Sequence, residues 1–154
     1  MKSSILALAA AIAVALSSCA TSYKRGFAEA SATLPRPPVN AEGPWLGTWK
    51  SDVNGHTGPL WCIVQPTPDR PGNYDFRYRA GWGVLKFGDY IHTTPAKLAG
   101  DGSLKLNGEM TLPGGFGTYQ VEGRLTRGSF TATYRSEGDR GTMTLKRPAS
   151  GADD

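Results

Sequence analysis

The sequence predicts an all-β fold, a small antiparallel eight-stranded up-and-down β-barrel, with a β-sandwich as the alternative. Three observations carry this expectation. Between residues 44 and 148, short runs alternate apolar and polar side chains. Turn signals rich in Gly, Pro and Asn punctuate those runs at hairpin spacing. No long amphipathic helical stretch competes. Consecutive segments at hairpin spacing favour a barrel, which leaves no free edge. Two packed sheets would use the same alternation.

Strands are expected near 45–51, 59–65, 73–80, 84–92, 103–112, 117–126, 129–136 and 140–147. The first holds Trp45 and Trp49 and ends at the turn signal Asn54-Gly55. The second, Leu60 to Val64, is apolar on both faces. Such a strand is covered on both sides, or one face meets a partner. In the third, Tyr74, Phe76 and Tyr78 share one side and Asp75, Arg77 and Arg79 the other, which is read as the wet face. Pro71-Gly72 precedes it. The fourth ends near His92 and the fifth follows Asp101-Gly102. Asn107-Gly108 either lies within the fifth strand or makes a tight hairpin that splits it. After Pro113-Gly114-Gly115, the sixth alternates Tyr119, Val121 and Leu125 with Gln120, Glu122 and Arg124. The seventh places Phe130, Ala132 and Tyr134 on one side. Glu137-Gly138-Asp139 then turns the chain into the eighth.

The chain ahead of this domain reads as an address. Lys2 precedes a twelve-residue apolar run, Ile5 to Leu16. That matches a secretory h-region of about 7–15 residues. It is short of the roughly 20 residues that cross a bilayer. Leu16-Ser17-Ser18-Cys19 resembles the bacterial lipobox, an aliphatic residue and two small ones ahead of Cys. The resemblance implies a signal peptide over 1–18 and lipidation of Cys19, with membrane attachment through that lipid. Residue 20 is Ala, not Asp, which under the enterobacterial sorting rule favours the outer membrane. Residues 19–43 are rich in small residues and Pro and are expected to be a flexible tether. Residues 149–154 are expected to form a disordered tail.

Gly47-Thr48-Trp49 resembles the Gly-x-Trp that opens the first strand of lipocalins and their calycin relatives. The resemblance implies a Trp plugging one barrel end beneath a basic residue from a late strand, with Arg135, Lys146 and Arg147 as candidates. The domain is shorter than a typical lipocalin, and the other lipocalin motifs are absent. In size, anchor and fold it also resembles small envelope lipoprotein barrels that inhibit proteases or lysozyme.

Composition excludes several functions. The formal charge is +4, from 17 basic and 13 acidic residues, and acids and bases are interleaved. No basic cluster exceeds two residues, so no nucleic-acid partner is expected. Only two Cys are present, and lipidation of Cys19 would leave Cys62 without an intrachain partner. Cys62 is expected to be a buried packing residue. There is no Gly-x-Ser-x-Gly, no Ser-x-x-Lys and no phosphate loop. His56 and His92 are the only histidines, against the three protein ligands of a usual catalytic zinc. Asp75 and Glu122 fall on the wet face, which argues against a glycosidase pair with Glu109. No enzyme activity, metal or cofactor is expected, and the chain is expected to be a monomer.

The aromatic residues are the suggestive constellation. Trp49, Tyr74, Phe76, Tyr78, Trp82 and Tyr134 are the candidate ligand-binding residues. The expected function is to bind a small apolar or aromatic ligand in the barrel. That requires a cavity, whereas so short a chain favours an interior filled by side chains. Trp82 stands between Gly81 and Gly83, as a rim anchor or as a lid. The alternative function is a protein-binding module, an inhibitor of an envelope-directed protease or lysozyme, acting through barrel-end loops that carry His56 and Trp82.

Overall fold

The computed structural model describes residues 22–83, 85–111 and 117–149, with the side chains of 85–88 excepted. The signal peptide, Cys19 and residues 150–154 of the expected tail lie outside the described residues. A helix, α1, spans 22–33. Eight strands follow: β1 Gly43–Ser51, β2 Thr57–Pro66, β3 Asn73–Trp82, β4 Leu85–Pro95, β5 Leu104–Thr111, β6 Thr118–Leu125, β7 Ser129–Arg135 and β8 Arg140–Lys146. They form one antiparallel sheet in the order β4-β3-β2-β1-β8-β7-β6-β5. The fold is the expected up-and-down, lipocalin-like barrel, nearly closed, and not a sandwich. Asn107-Gly108 lies within a continuous β5, paired with Glu122 and Val121 of β6.

The seam of the barrel lies between β4 and β5, where no backbone ladder joins the strands among the described residues. Side chains close it instead. Thr94 Oγ1 donates to the Asn107 carbonyl at 2.9 Å. Gly108 makes the approach feasible, because a Cβ there would lie 2.7 Å from both His92 Nε2 and Thr94 Oγ1. The curvature at β1 has a similar origin. A Cβ on Gly47 would overlap the Thr144 carbonyl of β8, so only glycine permits so tight a coil there.

Alternation sets the core. Leu60, Cys62 and Val64 of β2, Phe76 and Tyr78 of β3, Val121 of β6 and Leu145 of β8 face inward and are buried. One end is plugged. Trp45 is fully buried and meets Phe130 edge-on at 5.8 Å. Its Nε1 donates to the Ala41 carbonyl at 3.1 Å. The Arg147 guanidinium lies over the Trp45 ring. A basic residue on a plugging Trp was expected from the lipocalin resemblance, but on Trp49. The sequence carries a second Gly-x-Trp, Gly43-Pro44-Trp45, and its Trp takes that place.

The outer face of β2 and its neighbours is also covered. Tyr23 and Phe27 of α1 bury themselves against Trp61, Ile63 and Leu46. Tyr23 Oη donates to the Arg77 carbonyl at 3.3 Å, and its ring receives the Arg77 and Arg79 guanidinium groups at 5.1 and 5.8 Å. Residues 22–33, expected to be tether, are therefore a docked helix. Positions 23 and 27 are one helical turn apart and share a face, and β2 supplies the apolar surface they need. The helix starts beside Arg77 and Arg79 on the outer wall, and Leu34, just after its end, lies beside Gly43 at the start of β1. Helix and barrel thus bury each other within residues 22–149, a folded unit with its own core.

The outer face of β3 departs from expectation elsewhere. Asp75, expected to be wet, is buried. Its Oδ1 accepts hydrogen bonds from Thr67 Oγ1 and Thr93 Oγ1, each at 2.7 Å. Two hydroxyls replace the water that alternation alone would assign to it. Beside it, Arg77 clasps Asp89 through two bonds of 2.6 Å.

Candidate ligand-binding site

The end of the barrel opposite Trp45 is not filled. A cavity of about 540 Å3 opens there. Trp49, Leu60, Ala80, Tyr90, Tyr119 and Met143 form most of its wall, and Tyr134 and Asp139 stand at its rim. Each wall residue comes from an inward position of its strand. Trp49 is held by Nε1, which donates to the Gly81 carbonyl at 3.0 Å. The interior thus divides into a solid half around Trp45, Phe76 and Phe130 and an open half around the tyrosines. The expectation of a filled interior holds for the first half only.

The six residues singled out as ligand-binding separate accordingly. Trp49 and Tyr134 line the cavity. Tyr74 stands outside it, and its hydroxyl donates to Glu42 at 2.8 Å. Phe76 packs in the solid half. Tyr78 is completely buried, stacked on Tyr90 at 5.4 Å. Trp82 is 45% exposed and lies on the His56 ring at 4.7 Å. It is a rim residue and does not close over the barrel. Leu60, Tyr90, Tyr119 and Met143 line the cavity in addition. Their inward positions were legible from alternation, but which inward residues meet the open half depends on strand tilt.

The polar groups at this end differ in how well they are satisfied. Asp139 is fully engaged. Ser51 Oγ donates to its Oδ1 at 2.6 Å, the Arg140 amide to the same oxygen at 2.8 Å, and Tyr134 Oη to Oδ2 at 3.0 Å. Deeper in, the Tyr78 and Tyr119 hydroxyls and both His92 ring nitrogens are buried without a hydrogen-bond partner in the protein. The Cys62 thiol lies near Tyr78 and the Glu109 backbone near His92, but neither completes a well-aligned bond. Leaving one such group unpaired costs about 1–3 kcal/mol. His92 meets Tyr119 edge-on at 6.1 Å, and Tyr119 stacks on Tyr134 at 6.1 Å.

Burial sets the protonation of this cluster. It raises the Cys62 thiol and the Tyr78, Tyr90 and Tyr119 hydroxyls above their ordinary values. It lowers His92, opposed by the Glu109 backbone. All five groups are therefore neutral at pH 7. A buried neutral thiol is also a poor nucleophile.

Other constellations do not assemble. His56 sits at the rim on Trp82, while His92 lies inside against Gly108. Asp75 is on β3, and Glu109 and Glu122 are exposed on the outside of β5 and β6. Among the described residues no three His, Cys, Asp or Glu side chains gather as a metal site. A polar groove of about 810 Å3 crosses the outer face past Asn107, Glu109, Gln120, Glu122 and Arg135. Its Glu109 already accepts a hydrogen bond from Gln120 at 2.8 Å. The apolar cavity is therefore the stronger candidate for small-molecule binding. No described helix is long and apolar enough to cross a membrane. Compared with protein families, curated proteins and solved structures, the chain matches none.

Proposed function

We propose that this chain is a bacterial envelope lipoprotein, anchored through Cys19 with the outer membrane as the favoured site, whose barrel binds a small apolar or aromatic molecule. The observation that carries the binding reading is the apolar cavity of about 540 Å3 at the unplugged end. Its volume falls in the range of small-ligand sites, about 300–1,000 Å3. Its walls are hydrocarbon and aromatic, with tyrosine hydroxyls to orient a guest. Attachment to the membrane rests on the sequence around Cys19.

Native mass spectrometry of residues 22–154, after exposure to a lysate of the source organism, tests the binding. The expected result is an added mass of a few hundred daltons. Filling the cavity with Ala80→Trp is expected to abolish the adduct. A wild-type domain that returns only its own mass would overturn the reading. Incorporation of labelled palmitate into the full chain, lost in Cys19→Ala, tests the anchor separately.

A second reading draws on one observation, the exposed Trp82 stacked on His56 at the rim. Exposed Trp is a common interface anchor. A protein-binding module of this kind would inhibit an envelope-directed protease or lysozyme, and Trp82→Ala would relieve that inhibition. Equal enzyme rates with and without the wild-type domain would count against it.

A further inference from the structure

We infer that the cavity takes its ligand head first, and that the head is an uncharged hydroxyl or carbonyl received by Tyr119, with Tyr78 and His92 beside it. The inference rests on the cavity being a binding site, and it names the chemistry of what enters.

The cavity has two chemically distinct levels. Trp49, Leu60, Ala80 and Met143 offer only hydrocarbon and aromatic surface on the walls. Tyr119 also lines the cavity, yet it is 6% exposed and its hydroxyl has no partner in the protein. Tyr90, another lining residue, carries Tyr78 stacked behind it. His92 meets Tyr119 from the β4 side. Tyr78 and His92 are 0% and 1% exposed, and both are unpartnered. Of three unsatisfied hydrogen-bonding side chains, Tyr119 thus borders the apolar space, with Tyr78 and His92 packed behind its wall. Buried polar groups are normally paired, so a cluster of exceptions calls for an explanation. A ligand oxygen that reaches Tyr119 supplies one.

The charge of that head follows from what surrounds it. Tyrosine hydroxyls both donate and accept, and a neutral imidazole does one at each nitrogen. A hydroxyl or a carbonyl meets those capacities. The carboxylate in the lining is Asp139, at the rim, already held by Ser51, Tyr134 and Arg140. It repels an anion on entry and lies away from the inner end. No Lys, Arg, Asp or Glu among the described residues stands with Tyr78, Tyr119 and His92 to balance a buried charge. An ionic head would lose its hydration there without recompense. The ligand class is therefore a small amphiphile with a neutral oxygen head and an apolar tail left toward the mouth.

Isothermal titration of residues 22–154 at pH 7 with four probes tests this: 1-octanol, octanoate, octylamine and ethylbenzene. We expect octanol to bind about tenfold more tightly than octanoate or octylamine. Tyr119→Phe keeps the ring and removes the unpartnered hydroxyl, so the fold is retained. It is expected to weaken octanol by about tenfold, one good hydrogen bond, and ethylbenzene by less than about twofold. Tyr78→Phe gives a smaller loss of the same selectivity. A preference for octanoate or octylamine, or an equal loss of both probes in Tyr119→Phe, would overturn the head-first reading and leave the cavity as a site. Failure of all four probes, ethylbenzene included, would overturn the binding site itself.

Discussion

The Arg147 guanidinium lies 3.7 Å from the centre of the Trp45 ring. The same side chain donates to three carbonyls, Nε to Arg127 at 2.9 Å, Nη1 to Pro44 at 3.1 Å and Nη2 to Asn40 at 2.5 Å. It therefore ties the end of β8 to the start of β1 and to the turn before β7. Arg147→Ala is expected to cost about 2–3 kcal/mol, from the cation–π contact and the bonds lost. Arg147→Lys recovers less than half, because an ammonium cannot reproduce the fork. Urea midpoints at unchanged m-value check both.

Gly108 is required by the seam and Gly128 is not. Gly108→Ala puts a methyl against His92 and Thr94 and is expected to cost about 2 kcal/mol by overpacking. Gly128→Ala meets open space and should stay within about 0.5 kcal/mol. Thermal unfolding of the two variants side by side gives the comparison. Equal shifts would mean that the seam is not held as tightly as the Thr94–Asn107 bond implies.

Docking of α1 predicts a stability cost that a tether would not show. Phe27→Ala removes a ring buried against the outer face of β2 and is expected to cost about 3 kcal/mol. Deleting residues 22–33 exposes Trp61 and Ile63 together, and such a patch promotes self-association. Size-exclusion chromatography with in-line light scattering measures that. A deletion that remains monomeric and as stable as its parent would contradict the packing.

The pH dependence of stability follows from the buried cluster. The folded-state pKa of His92 is depressed, so the unfolded chain binds its proton first as pH falls. Stability from this group is full above the ordinary His value of about 6.5 and declines below it. On the alkaline side, Cys62, Tyr78 and Tyr119 are raised. Their contribution is full below about pH 8.5 for the thiol and about pH 10 for the phenols, and is lost above those values. Urea midpoints from pH 5 to 11 should form a plateau between about 7 and 8.5. His92→Gln is expected to flatten its acid flank.

Much of the fold was legible because alternation is a local signal. The Tyr74–Arg79 and Tyr119–Leu125 patterns fixed two strands and their faces without any knowledge of neighbours. Leu60 to Val64 carried more: apolar on both faces, the strand announced that something covers its outer side. The covering helix was harder to see, since between 22 and 33 Tyr23 and Phe27 are the large apolar residues, set among Ser, Ala, Lys and Arg. The Trp45–Arg147 pair was masked by two neighbouring Gly-x-Trp triplets, 43–45 and 47–49, which three letters cannot tell apart. Asp75 was misread because its partners, Thr67 and Thr93, come from two other segments of the chain. The cavity lay beyond local signals altogether. Tyr78 and Tyr119 both point inward, yet one is walled off and the other lines open space, and only the closed sheet separates them.

The place where α1 begins has a consequence for how the molecule stands on a surface. With Cys19 carrying a lipid as proposed, only Ala20 and Thr21 separate the anchor from the first helical residue, three peptide links that reach at most about 11 Å. The barrel cannot swing on a long leash. Because the helix begins beside Arg77 and Arg79 on the outer wall, such a lipid would hold the side of the barrel formed by β2 and β3, and neither its plug nor its mouth, closest to the bilayer.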